Sequence, residues 1–173
     1  MKDVISRRTM LFGKSGLTGQ DDVIRPPWSV PADEFTKKCT GCGECVSVCP
    51  ENILTIDGRN LAKVDFSKGE CTFCRDCVPS CKDGALVFTN IDHPWSLNIS
   101  IEGKCLAMTG VECRICDDQC ESRAIRFRLT AGGVSVPQLD ETLCTGCGAC
   151  IAPCPVEAVV LMPEVQTEGG LIG

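Results

Sequence analysis

The sequence predicts an α+β protein in which one compact plan is built twice behind an N-terminal arm. Three observations point that way. Sixteen of the 173 residues are cysteine, and they fall into four groups of four. The stretch from Cys39 to Phe88 is repeated in order by the stretch from Cys105 to Met162. Between the cysteine groups lie short apolar or alternating runs, separated by turn-forming residues.

Each half reads as cysteine loop, strand, turn, strand, second cysteine loop, closing strand. In the first half Ile53-Leu54-Thr55-Ile56 is strand-like, Asp57-Gly58-Arg59-Asn60 is a hairpin turn, and Leu61 to Phe66 returns. Ala85-Leu86-Val87-Phe88 closes that half. In the second, Ala124 to Leu129 alternates apolar and basic residues, Ala131-Gly132-Gly133 turns, Val134 to Leu139 returns and Ala158 to Met162 closes. Short helical turns are expected after Cys45, Cys77, Cys116 and Cys150. The boundaries that follow are an arm over residues 1–34, a first module over 35–92, a second over 93–163 and a flexible tail over 164–173. The second module includes a linker with a strand-like Leu97-Asn98-Ile99-Ser100-Ile101. The tail is acidic and Gly-rich, so it is expected to fray.

Composition narrows what holds such modules together. The hydrophobic share of 43% counts every cysteine, and the chain has no Tyr, so its true apolar core is thin. Small units with thin cores need a staple, either disulfides or metal. Disulfide-rich domains are secreted, and secretion needs a sustained apolar stretch before a small-residue cleavage site. Near the N-terminus only Met10-Leu11-Phe12 is continuously apolar. No segment approaches the roughly 20 apolar residues of a membrane span. The expectation is a soluble, cytoplasmic chain whose thiols stay reduced. Ser6-Arg7-Arg8-Thr9-Met10-Leu11 imitates a twin-arginine address but lacks the apolar region that should follow, so it reads as a basic arm. Gly13-Lys14-Ser15 imitates a phosphate loop, but Arg8 stands where that motif needs Gly.

The cysteine spacing is the strongest signal. Cys39, Cys42, Cys45 and Cys49 form one group, Cys71, Cys74, Cys77 and Cys81 a second, and Cys144, Cys147, Cys150 and Cys154 a third. All three have the C-x2-C-x2-C-x3-C spacing of bacterial ferredoxins, and Pro50 and Pro155 supply the terminal proline in two of them. The remaining group, Cys105, Cys113, Cys116 and Cys120, has a widened first gap. A longer loop costs little closure entropy, so ligation is still open to it.

A cubane needs three thiolates converging from one tightly turned loop. Two-residue gaps allow that, and Gly41, Gly43, Gly146 and Gly148 let the backbone wrap closely. The fourth cysteine faces away and serves the neighbouring cluster. The expected sets are therefore Cys39, Cys42, Cys45 with Cys81, and Cys71, Cys74, Cys77 with Cys49. In the second half they are Cys144, Cys147, Cys150 with Cys120, and Cys105, Cys113, Cys116 with Cys154. All sixteen cysteines are candidate metal ligands, and four [4Fe–4S] clusters are the expected cofactors.

Rival chemistries fit less well. Zinc sites are built from C-x2-C pairs, not triplets with a distant fourth ligand. A thioredoxin-type site needs one such motif in a βαβ setting. A [3Fe–4S] cluster stays open at the irregular Cys105 group. No Ser–His–Asp set or paired carboxylates occupy a catalytic frame, so the chain reads as an electron-transfer or accessory protein and not an enzyme. The single His93 precedes Pro94 in a turn and reads as structural. The net charge of −6, made more negative by thiolate-bound clusters, argues against a nucleic-acid partner. Arg7, Arg8, Lys14 and Arg25 are the basic exception, either solvated or a docking arm for an acidic partner. Trp28 and Trp95 either pack the arm on a module or form a partner surface.

The order Ser6-Arg7-Arg8, then Ile24-Arg25-Pro26-Pro27-Trp28, then four cysteine groups with Cys105-Leu106-Ala107 and Val111-Glu112-Cys113-Arg114, resembles the NapF family of ferredoxin-type proteins. The resemblance covers nearly the whole chain. It implies a cytoplasmic iron–sulfur protein that contacts the catalytic subunit of periplasmic nitrate reductase before export. Its implied role is to assist maturation or reductive cofactor assembly of that precursor. The sixteen cysteines carry over as cluster ligands, and Arg7 and Arg8 as part of the family's arm. One departure is Lys82, where Pro would follow Cys81. The alternative is a general electron-transfer ferredoxin or a relay subunit of an oxidoreductase complex, which would dock several partners and need no special arm.

Overall fold

The computed structural model describes residues 23–89, 94–95, 97–130 and 133–163. Arg7, Arg8, Lys14, the Gly13-Lys14-Ser15 stretch, His93, the Ala131-Gly132 turn and the tail 164–173 lie outside the described residues. The described residues form four short α-helices, a 3-10 turn (Glu141–Leu143) and six strands, the strands paired in three two-stranded antiparallel sheets. Among them no helix is long and apolar enough to cross a membrane.

The first helix, α1 (Ala32–Lys38), was not signalled by cysteine spacing, yet its ends follow charge rules. Asp33 and Glu34 sit in the first turn, and Lys37 and Lys38 in the last, each opposite in sign to its end of the helix dipole. Phe35 is buried and anchors α1 to the core, and the helix delivers the chain to Cys39. The strands β1 (Leu54–Ile56) and β2 (Ala62–Val64) pair with Leu54 opposite Val64 and Ile56 opposite Ala62. Their turn is held by Asp57, whose Oδ1 accepts from the Arg59 and Leu61 N–H groups at 2.8 and 3.0 Å. This is the hairpin expected at Asp57 to Asn60.

In the second half β4 (Ile125–Leu129) pairs with β5 (Ser135–Leu139) as expected. The linker strand β3 (Leu97–Ile101) pairs antiparallel with β6 (Val159–Pro163), so the linker closes the second half against its last strand. The first half has a lesser version of the same closure. Ser29 bridges Leu86, flanked by Val30 N–H to the Ala85 carbonyl at 3.0 Å and Val87 N–H to the Trp28 carbonyl at 2.9 Å. The strand expected over Ala85 to Phe88 is thus reduced to one bridge. Trp28 has φ 60°, which leaves the extended region, and Pro26 has no N–H for a further rung. At the other end the chain turns at once into α1.

Helical turns follow three of the four expected cysteines: α2 (Glu44–Ser47), α3 (Cys77–Ser80) and α4 (Ile115–Asp118). At Cys150 there is a tight turn instead. Ile151 N–H donates to Gly148 and Cys154 N–H to Ile151, at 3.0 and 3.1 Å. Pro153 has no N–H to extend that turn into a helix.

Arg25 is structural, which corrects its reading as part of a docking arm. Its Nη1 donates to Asp57 Oδ2 and to the Ala62 carbonyl, both at 2.9 Å, and its guanidinium lies 5.4 Å from the Phe35 ring centre. Burial pushes the Asp57 carboxyl up, but the Leu61 N–H, the Arg25 guanidinium and the Arg59 N–H together hold it below the usual carboxylate range. Ile24 extends the attachment by accepting from Val64 N–H at 2.9 Å. Replacing Arg25 with Ala should cost about 1.5–3 kcal/mol, the range for hydrogen bonds to charged groups. Denaturant unfolding of the holoprotein checks this, and an unchanged midpoint would return Arg25 to the surface.

Among the described residues the larger of two hydrophobic clusters runs through both halves, the smaller being Cys105, Ala107 and Ala158. The larger includes Trp28, Phe35, Ile53 and Phe66 from the first, and Ile99, Ile125, Val159 and Leu161 from the linker and the second.

Candidate metal centres

Four cavities are lined by four cysteines each. Cys39, Cys42, Cys45 and Cys81 surround one, with Phe35 of α1 in its wall. Cys49, Cys71, Cys74 and Cys77 surround another, against Trp28 and Leu54. In the second half Cys120, Cys144, Cys147 and Cys150 line a third, and Cys105, Cys113, Cys116 and Cys154 line a fourth. In every cavity three cysteines come from one loop and the fourth from another group.

Local structure explains the crossing. Cys45 lies in α2, and Cys49 follows the helix, so its side chain leaves the loop that holds Cys39 and Cys42. Cys77 and Cys81 are related in the same way by α3. The widened gap of the Cys105 group is a compact loop, with Thr109 N–H on the Cys105 carbonyl and Val111 N–H on the Leu106 carbonyl, at 3.1 and 2.9 Å. That loop brings Cys105 back beside Cys113.

The loops reach their shape through left-handed backbone positions. Gly146 and Gly148 have φ 73° and 82°, where a side chain is strained. In the second group the equivalent places are held by Phe73 and Arg75, at φ 53° and 73°. Such positions cost a non-glycine residue roughly 1–2 kcal/mol. Each has a contact to set against that cost. Phe73 meets the Trp95 ring edge-on at 6.2 Å, and the Arg75 guanidinium lies 4.6 Å from the Phe88 ring centre.

The donor set fits an iron–sulfur cluster. All sixteen thiols are free of disulfides. Burial, reinforced by neighbouring thiolates, pushes Cys45 and Cys116 up to about 11 and Cys77 and Cys150 up to about 12. Cys71 also rises to about 11, through burial and then the charges of Cys49, Cys74 and Cys147. Thiols raised in this way ionise readily only beside a cationic centre, which iron supplies. Among the described residues no three His, Cys, Asp or Glu side chains form a site for a single metal ion. Donors are also in place. Ala62 N–H points at Cys39 Sγ at 3.5 Å and Ala158 N–H at Cys154 Sγ at 3.2 Å, contacts that favour negative sulfur. The Trp28 indole N–H, on the wall of the second cavity, is buried with no hydrogen-bond partner among the described residues.

Comparison with known proteins agrees with this chemistry. A 4Fe-4S dicluster domain matches twice, over residues 38–85 and 111–158. The ferredoxin-type protein NapF of Haemophilus influenzae is 48% identical over 145 residues, covering 84% of this chain and 82% of that protein. The chain belongs to the NapF family of ferredoxin-type proteins. The Escherichia coli NapF is 42% identical over 159 residues, covering 92% of this chain and 95% of that protein. The methylamine utilization ferredoxin-type protein MauM of Methylophilus methylotrophus is 29% identical over 180 residues, covering 89% and 78%. The chain is an iron–sulfur protein of ferredoxin type, and its two dicluster domains carry four [4Fe–4S] clusters. The second match begins at residue 111 and so leaves out Cys105, which the fold nonetheless brings to the cavity of Cys113, Cys116 and Cys154.

Proposed function

We propose that the sixteen cysteines hold the four clusters in the crossed sets that line the cavities, within modules over residues 35–92 and 93–163. The chain acts in the cytoplasm as an accessory protein for the catalytic subunit of periplasmic nitrate reductase. It binds that subunit before export and assists maturation or reductive assembly of its cofactors. The observation that carries this reading is the likeness to NapF proteins over 92% of the chain, a length that takes in more than the dicluster regions. When bound, the clusters supply one-electron chemistry. The protein's own part is to hold the thiolates, exclude water with residues such as Phe35 and Trp28, and aim N–H groups at sulfur.

The test is affinity capture from anaerobic cytoplasm with the full holoprotein as bait. One molybdenum reductase precursor should dominate, and replacing Arg7 and Arg8 with Glu should weaken its capture. The wild-type interaction should also weaken as salt rises, because exposed charges are screened within about 10 Å at 0.1 M. Capture of several unrelated redox proteins, with no dominant precursor, would overturn the accessory reading. It would favour the second one, a general electron-transfer ferredoxin or relay subunit, for which the likeness to a methylamine utilization protein is the supporting observation.

A further inference from the structure

Two cysteine loops from opposite halves of the chain meet. The Cys71 N–H donates to the Cys147 carbonyl at 2.8 Å, and these residues line different cavities. An aromatic bracket closes over this bond. The Phe66 ring, 6% exposed, fills the space a side chain at Gly148 would need. The Trp95 Nε1 atom stands 2.8 Å from where a Cβ at Gly146 would lie. Phe66 meets Trp95 edge-on at 5.9 Å, and Phe73 does so at 6.2 Å. Glycine is therefore needed at 146 and 148 for the loop shape, and also at 148 for Phe66 of the first half and at 146 for the linker's Trp95 to close on it. Nothing in the chemistry of either cavity alone calls for this contact, since each has its four cysteines without it.

We infer that this seam makes the two inner cavities neighbours and turns the modules into one electron path. Within each module the crossed fourth cysteines already tie two cavities together, Cys49 and Cys81 in the first half, Cys120 and Cys154 in the second. The seam supplies the missing middle link. The order of sites is then that of Cys39, that of Cys71, that of Cys147 and that of Cys105. A transfer across the seam moves one electron. The centre held by the Cys71 set is oxidised, the centre held by the Cys147 set is reduced, and no bond or proton changes place; the reverse direction balances in the same way. A low-potential one-electron reductant supplies the electron at one end, and a one-electron acceptor removes it at the other. Electrons entering at one outer site thereby leave at the other, a property that a pair of independent modules lacks.

The inference rests on the ligand sets proposed above, and the experiment separates the two. Full-length protein carrying Cys42→Ala and Cys113→Ala keeps only the inner sets complete and should retain about eight iron. Its reduced form should show two interacting spins in electron paramagnetic resonance, with splittings independent of microwave frequency. Adding Phe66→Leu should weaken that interaction while the iron stays bound. Two non-interacting spins in the parent variant would overturn the seam and leave the ligand sets standing. Should that variant fail to load, the otherwise intact holoprotein decides the matter. Phe66→Ala with Trp95→Ala should then slow spin relaxation of the inner centres and split one thermal transition into two. Unchanged relaxation and a single transition, with all iron retained, would contradict the inference. Iron loss from this double variant would also contradict it, because the seam would then be part of what holds the clusters.

Discussion

Stripping iron from the holoprotein with a chelator should abolish cooperative unfolding in both halves. The core explains why. Its largest fully buried side chains are Phe35, Ile53, Ile125 and Pro26, and several of its other buried members are cysteines that face the cavities. Small domains have a net stability of about 5–15 kcal/mol. Binding one structural metal ion is worth about 10–16 kcal/mol in comparable small metallodomains. One such term is as large as the whole stability, and this chain has four sites to lose. The emptied cavities would also gather thiols that resist ionisation, with Cys77 and Cys150 pushed up to about 12 by burial. Circular dichroism during urea titration checks the expectation. A broad, featureless decline is expected from the iron-free chain, and a retained sigmoidal transition would show that the apolar core suffices.

The second large effect is a pattern of iron loss among paired substitutions. Cys39 and Cys81 lie in different groups but line the same cavity, whereas Cys39 and Cys49 lie in one group but line different cavities. Replacing Cys39 and Cys81 together with Ala should remove about four iron, one cluster's worth. Replacing Cys39 and Cys49 together should remove about eight, because two clusters each lose a ligand. Ligation within each sequence group would reverse the two results. Iron analysis of the purified full-length variants distinguishes these outcomes without reference to any partner.

Much of this geometry was legible because it is local. Two-residue gaps fix where three thiolates can go, and an alternating run with an Asp-Gly turn fixes a hairpin such as β1–β2. What escaped depends on which distant surfaces meet. Ala85 to Phe88 has the composition of a strand, but its partner begins with Pro26 and the left-handed Trp28, so only the Ser29–Leu86 bridge forms. Arg25 looks like its basic neighbours in the arm until Asp57 and Phe35 are brought beside it. Trp28 and Trp95 could not be told apart by sequence. One proves to line a cavity from the arm side, and the other braces the join between halves. Phe73 and Arg75 gave no sign of their left-handed backbone, since glycine holds the equivalent places in the Cys39 and Cys144 groups. The helix α1 was legible in its charges, with acids first and lysines last.

The central claim, that these cavities together hold four cubanes, is tested most directly by counting iron and acid-labile sulfide in anaerobically reconstituted full-length protein. About sixteen of each per chain is the predicted result, four per cluster. About eight of each would show that one half does not load, and metal without sulfide would contradict the account.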